Sequence, residues 1–368
     1  MNIDNIIKTL DKFTELPIQE KWDNSGIQLF TCNEKVNKIV LSLDVSEEVI
    51  DFATKEGSNL IISHHPLIFK ELKSVDYRDA TGNILINAIK NRINIISYHT
   101  NIDKQTNGLA DYFCEKLGIA NATAMPLCKP DYEPLYKIIT FIPESSLNEF
   151  LNFLDNNNLS IIGNYKACSF FQKGKGSFFP FAGSTPYEGV KEKLNIVDEI
   201  RIEFQVAGDK LRTILSELKK IHPYEEPVFD VFPLFKNGKV KGALGRVILL
   251  EKSIELRVLL KRIKSVFNVS NLKYTANKHN RLISKIAVCP GSGMSLVVDA
   301  VKNGCDVFIT GDVKYHEAQF AVAKEIVVVD LGHFETEIIF TEMMKEKLEQ
   351  LLNIEIITFK QKNIFNYI

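Results

Sequence analysis

Residues 38–63 and residues 285–310 of this chain can be laid over one another without a gap, and that correspondence restricts the fold more than any other feature. In each copy a short apolar run (Lys38-Ile-Val-Leu-Ser-Leu, Lys285-Ile-Ala-Val-Cys) leads into a helix-like segment, at residues 46–56 and 295–303. A glycine follows, Gly57 or Gly304, and then a second apolar run, Asn59-Leu-Ile-Ile-Ser or Asp306-Val-Phe-Ile-Thr. Short continuous apolar runs separated by helices predict parallel strands covered on both faces. The likeness continues beyond the copies. Residues 94–98 lead to His99-x-x-x-Asp103, and residues 326–331 lead to His333-x-x-x-Glu337. The reading is an α/β protein with two related β-α-β halves and mostly parallel sheets.

Between the halves the character changes. Pro126, Pro130 and Pro134 cluster at one boundary, and Asn237-Gly238, Gly242 and Gly245 at the other, where the chain is expected to turn. Inside lie a strand run from Tyr136, a helical run at 145–156, a Gly/Phe-rich stretch at 168–181, a strand run at 199–206, a helical run at 209–221 and a strand run at 228–232. That βαββαβ order suits an inserted α+β, ferredoxin-like domain at 133–236. Segments 1–132 and 237–368 then form one discontinuous α/β domain.

Four of the seven histidines follow the ends of predicted strands, where ligands collect in open parallel sheets. The run Asn59-Leu-Ile-Ile-Ser delivers His64-His65, and Pro66 ends any continuation of the strand. His99 precedes Asp103 by four residues. If a helix begins near His333, Glu337 lies on the same face of it. Imidazoles mixed with carboxylates suit zinc, iron, manganese, cobalt or nickel. His64, His65, Asp103, His333 and Glu337 are too many for one catalytic zinc and suit two divalent ions roughly 3.5–4 Å apart. The assignment is that Glu337 bridges, His65 and Asp103 complete one ion, and His64 and His333 the other. His99 is read as a supporting or proton-transfer group beside the ligands.

Other residues leave two readings open. His316, in Thr310-Gly-Asp-Val-Lys-Tyr-His, either faces the same crevice as a proton donor or lies on a helix surface. Gly311 and Asp312 align with His64 and His65. Cys289-Pro-Gly-Ser-Gly can cradle a phosphate on backbone N–H groups, but it lacks either dinucleotide or P-loop spacing, so a tight βα turn is preferred. His222 and His279 fall outside the pattern.

Composition narrows the class. With 45 Lys and Arg against 46 Asp and Glu, no global field draws the chain to nucleic acid or an anionic membrane. Six scattered cysteines without a CxxC pair fit a reducing compartment. The N-terminal segment repeats Ile3, Ile6, Ile7, Leu10 and Phe13 at helical spacing, unlike a signal peptide. No apolar run approaches the ~18 residues a membrane span needs. The expected location is the cytoplasm.

Several motifs together resemble a known family. Trp22-Asp-Asn-Ser-Gly-Ile-Gln, Leu43-Asp-Val, Ile61-Ile-Ser-His-His-Pro-Leu-Ile-Phe, His99-Thr-Asn-Ile-Asp, Thr310-Gly-Asp-Val-x-Tyr-His and Gly332-His-Phe-x-x-Glu resemble the Nif-three-like family, also catalogued as GTP cyclohydrolase I type 2 homologues. Ile162-Gly-Asn-Tyr, Cys168-Ser-Phe and His222-Pro-Tyr-Glu-Glu-Pro are similar to the inserted domain of its longer bacterial members. The resemblance implies a dinuclear metal centre on the five residues named above, a toroidal homohexamer, and an insert like the PII or CutA signalling folds.

Two functions are expected from this reading. One is a metal-dependent hydrolase or cyclohydrolase acting on a nucleotide-like small molecule, with a shared water whose pKa two ions lower to about 7 and with His316 or His99 moving protons. The other is a metal-binding regulatory or scaffold protein whose insert holds a small ligand or a partner.

Overall fold

A computed structural model of the protein describes residues 1–118, 124–235, 238–276 and 280–366. His279 and the expected junction at 236/237 lie outside these residues. The chain divides into two compact units, Met1–Asp131 with Lys241–Ile368, and Tyr132–Val240.

In the first unit one sheet runs in the order Gly26–Leu29, Asn94–Ser97, Leu60–Ser63, Lys38–Ser42, Glu355–Thr358. All neighbours are parallel except the Gly26–Leu29 edge. The Leu60–Ser63 and Asn94–Ser97 strands are buried throughout, as continuous apolar runs demand when helices cover both faces. One face packs Val40, Ile61 and Ile95 against the Glu47–Lys55 and Ala80–Lys90 helices. The other turns Ile39, Leu41, Leu60, Ile62 and Ile96 into a core shared with the second sheet.

The second sheet is ordered Lys273–Tyr274, Val327–Asp330, Val307–Thr310, Leu282–Val288, Arg246–Glu255, Met125–Pro126. Only its three central strands are parallel; the other pairings are antiparallel. This departs from the expected mostly parallel sheet. The departure has a local cause: Arg246–Glu255 pairs antiparallel with Leu282–Val288 rather than through a right-handed parallel crossover. The copied segments keep equivalent positions, and Gly57 and Gly304 end their helices with matching positive φ of 69° and 68°, the left-handed geometry a C-terminal glycine allows. Between the sheets, Phe340, Met343, Met344 and Leu348 of the Ile339–Leu351 helix fill the common core with Phe113.

The Tyr132–Val240 unit contains strands Leu135–Ile142, Ser169–Phe178, Asn195–Ala207 and Asp230–Pro233, and helices Leu147–Asn156 and Leu211–Ile221. Its antiparallel sheet is ordered fourth, first, third, second strand. Ile200, Ile202, Phe204 and Val206 alternate inward along one strand and pack with Phe150, Leu154, Ile214 and Leu218 of the helices, the period-two pattern of a half-buried sheet. No helix among the described residues is long and apolar enough to cross a membrane.

One buried ion pair ties the segment that carries Asp103 to the second half of the first unit. Arg246, 4% exposed, grips Asp111 through Nε at 2.6 Å and Nη2 at 2.8 Å. It also donates to the carbonyls of Ala243, Gly245 and Gln105. Removing one partner of such a pair costs about 3–5 kcal/mol, because the other charge stays buried. Arg246→Ala is therefore expected to lower unfolding free energy by about that amount in denaturant titrations, and Arg246→Lys to recover little, since an ammonium cannot reproduce the planar fork. A loss below about 1 kcal/mol would contradict this account of how the halves are joined.

Candidate metal centre

The Leu60–Ser63 strand ends at His64 and His65, both set beyond its carboxyl edge. The amides of His64 and His65 donate to the Leu43 carbonyl, which fixes the turn that Pro66 completes. Successive side chains of an extended chain point to opposite sides, so the two imidazoles diverge while their ring centres stay 5.1 Å apart. Asn94–Ser97 leads to His99, which precedes the short Thr100–Lys104 helix carrying Asp103. Val327–Asp330 leads to the His333–Glu337 helix, and the four-residue spacing brings its two end side chains together.

Glu337 sits at the centre and is 3% exposed. Its Oε2 accepts from His65 Nε2 at 2.8 Å and lies 2.8 Å from His333 Nε2. Its Oε1 lies 3.8 Å from His64 Nε2, which in turn lies 3.5 Å from Asp103 Oδ1. His64, His65 and Glu337 have donor atoms all within 4.8 Å of one another, one candidate metal-binding group among the described residues.

Each of these histidines is held from behind. His64 Nδ1 donates to the Tyr98 carbonyl at 2.7 Å, His65 Nδ1 to Asp44 at 2.7 Å and His333 Nδ1 to Asp312 at 2.6 Å. A partner on Nδ1 fixes the ring and presents Nε2, the usual arrangement of a metal-ligating imidazole. His64 Nε2 and Asp103 Oδ1 are buried without a hydrogen-bond partner. Orphaned buried polar atoms are costly, and two facing ones match the donors a cation takes. The donor set, imidazole nitrogens with carboxylates, is of the kind that divalent transition metals take.

The electrostatics agree. Burial opposes charge on Glu337, but the imidazoles of His333, His64 and His65 outweigh it and hold its carboxyl well below the usual range. Burial, then the Glu337 charge, pushes Asp103 upward. Burial also opposes a charged His65, yet Asp44 and Glu337 raise its pKa to about 10. Glu337 is the main cause that lifts His333 to about 9. Both shifts favour charged imidazoles beside the buried carboxylate.

The expected partition put His65 with Asp103 and His64 with His333; the distances between these side chains pair them the other way. His64 Nε2 lies near both Asp103 Oδ1 and Glu337 Oε1, while His65 and His333 share Oε2. Neighbours in an extended strand face opposite ways, so His64 points inward to the Asp103 segment and His65 outward to His333. His99 stands beside both His64 and His65, with ring centres 5.4 and 5.6 Å away, and its Nδ1 is held by Asp23 at 2.8 Å. His316 is exposed on the Tyr315–Ala323 helix and bonds Gln319 at 2.9 Å, so its surface reading is the one the contacts favour. His222 sits in the Tyr132–Val240 unit against Phe141 and Thr140.

The Cys289-Pro-Gly-Ser-Gly turn has a different task from holding phosphate. Gly291 has φ +65°, and a Cβ there would meet Glu337 Oε1 at 2.0 Å and His333 Nε2 at 3.6 Å. Its amide is already used by Thr336 Oγ1 at 2.9 Å. Glycine is needed because the backbone passes directly over the central carboxylate. Asp44, Asp312, Asp23 and Gly291 carry roles that the ligand pattern did not disclose. The aspartates' signals in the sequence are the Trp22-Asp, Leu43-Asp-Val and Thr310-Gly-Asp motifs and the alignment of Asp312 with His65. On the His65–His333 flank a cavity of about 850 Å³ opens, bordered also by Leu331, Phe334 and the 361–366 segment.

Similarity to known proteins extends over nearly the whole chain. The profile of the Duf34/NIF3 (NGG1p interacting factor 3) family matches residues 1–364. A Halalkalibacterium halodurans protein named GTP cyclohydrolase 1 type 2 homolog is 34% identical over 351 residues, 95% of this chain and 93% of its own. The solved structure of a Bacillus cereus protein related to NIF3 superposes with a TM-score of 0.85 at 30% identity, covering 100% of this chain and 99% of its own. A Staphylococcus aureus structure gives 0.79 at 28% identity, with 100% and 99% covered. The chain therefore belongs to the Duf34/NIF3 family.

Proposed function

We propose that the chain is a metal-dependent hydrolase or cyclohydrolase that holds two divalent transition-metal ions and acts on a nucleotide-like small molecule. The observation that carries this reading is the convergence of three Nδ1-anchored histidines on one buried carboxylate, beside the unpartnered His64 Nε2 and Asp103 Oδ1. His64 and Asp103 would hold one ion, His65 and His333 the other, with Glu337 between them. Such a pair, when bound, acidifies a water and polarises the bond to be broken.

The remaining work falls to the chain. Asp44 and Asp312 keep His65 and His333 in the tautomer that presents Nε2. Asp23 does the same for His99, whose ring lies against the ligand histidines, so His99 is the residue placed to move a proton. The cavity beside His65 and His333 has the volume of a small-molecule site, and nucleotide-like chemistry is also what the names of the relatives point to. The insert is read as ferredoxin-like, from its β-α-β-β-α-β order and its strand order. A homohexamer, implied by the family resemblance, and a cytoplasmic location, expected from the scattered cysteines and the N-terminal pattern, complete the proposal.

The test is hydrolysis of a nucleotide and phosphoester panel by metal-reconstituted protein, with and without chelator. Turnover that chelator abolishes supports the reading; full metal occupancy without any turnover would favour a regulatory protein instead. Elemental analysis of protein purified without a histidine tag should find about two ions per chain. Glu337→Gln should lose most of this metal. His99→Ala should lose less, since groups behind the ligands tune affinity roughly 10–100-fold. The opposite order would mean the ligand set is misassigned.

A pH test follows from the raised histidines. A folded-state pKa above the unfolded value stabilises fully below about 6.5, and that stabilisation is lost as pH climbs through the folded value. For His65 and His333 those values are about 10 and about 9. Metal-free protein should therefore melt at progressively lower temperature as pH rises from about 6.5 toward 9. Ions need the same nitrogens deprotonated, so the stabilisation they confer should grow over that range. A metal-induced gain in melting temperature that shrinks with rising pH would contradict the shared use of these nitrogens.

A further inference from the structure

The flank of the centre opposite His333 carries two large aromatic side chains that the proposed chemistry does not use. Trp22, the sole tryptophan of the chain, is 59% exposed, and Phe69 is 47% exposed. Their ring centres lie 5.9 Å apart, and those of Trp22 and Phe69 lie 6.0 and 6.3 Å from that of His99. His99, His65 and His333 follow one another at 5.6 and 5.5 Å. The aromatic pair therefore stands at one end of a row of imidazoles and the cavity at the other.

These rings are exposed but not loosely held. Asp23, next to Trp22, has a fully buried side chain. Its carboxylate accepts from His99 Nδ1, Ser25 Oγ, and the amide and hydroxyl of Thr100 at 2.5–3.0 Å. Asn24 Nδ2 donates to the Ile68 carbonyl at 2.6 Å, and the Ile68 amide donates to Gln28 Oε1 at 3.0 Å. The two loops are thus bolted together and to His99, while their aromatic side chains face solvent. Fixed, exposed aromatic surface beside a reactive centre is the property of a stacking platform, since every planar heteroaromatic ring offers a π-face to it.

We propose that Trp22 and Phe69 form a binding subsite for the planar ring of the substrate, a nucleobase-class heteroaromatic stacked beside His99. The inference rests on the nucleotide-like reading above and names the residues that select for it. A molecule stacked there and lying across His65 presents its remaining groups to the carboxylate and imidazole cluster. Stacking tolerates different bases, so the subsite selects for a ring rather than for one purine.

The single tryptophan makes the subsite directly observable. Metal-loaded full chain is titrated with guanosine 5′-monophosphate, adenosine 5′-monophosphate and ribose 5-phosphate, following tryptophan emission with free tryptophan as the absorbance reference. Both purine nucleotides should quench emission saturably and ribose 5-phosphate should not. Phe69→Ala should weaken the nucleotide effect about tenfold or more, with metal content unchanged. Ribose 5-phosphate acting as strongly as the nucleotides, or no saturable change with any of them, would overturn the subsite. So would blue-shifted, ligand-insensitive emission that reddens on dilution, because a second copy would then cover Trp22. Quenching without turnover removes the hydrolase reading and leaves the subsite; turnover without quenching removes the subsite alone.

Discussion

A carboxylate with almost no exposure must have its charge met from within the protein, and the arrangement around Glu337 is organised by that requirement. An unpaired ionised carboxylate in the interior would cost several kcal/mol. Here His65 and His333 reach Oε2 at 2.8 Å, His64 faces Oε1, and each imidazole is fixed in turn by a carbonyl or a carboxylate. Gly291 lets the backbone pass over the same carboxylate. Remove the negative charge and the reason for this convergence disappears.

The fold delivers these groups because the two β-α-β copies end their strands toward one centre. One copy supplies His64 and His65, and the following strand Asp103. The other copy supplies Asp312, and its following strand His333 and Glu337. A common core of Ile, Val, Leu, Phe and Met side chains lies between the sheets, so the strand ends that carry this cluster are positioned by packed scaffold. That order of construction explains how a charged cluster can exist at the edge of an apolar core.

Much of this was legible from spacing. A strand-ending His-His-Pro and two His-x-x-x-carboxylate segments are local patterns, and local patterns survive in a linear sequence. Which histidine stands nearest which carboxylate was not legible, because it depends on which side of an extended strand each neighbouring histidine faces. The Asp44–His65 and Asp312–His333 pairs, each 21 residues apart, join separate elements, and nothing local marks them. The apolar run at 247–250 could not disclose strand direction, so the antiparallel side of the second sheet appeared only in three dimensions. His316 follows a strand end as His64 does, yet lies exposed on the Tyr315–Ala323 helix. A strand end brings a residue near the centre without turning its side chain inward.

The most direct test of the central claim is anomalous diffraction from crystals of the protein grown with zinc or manganese, measured at the metal edge. Two peaks should flank the Glu337 carboxylate, one bounded by His64 Nε2 and Asp103 and the other by His65 and His333 Nε2, with nitrogen ligands at about 2.0–2.1 Å for zinc. A single peak that leaves Glu337 hydrogen-bonded to histidine, or peaks at other side chains with this cluster empty, would contradict it.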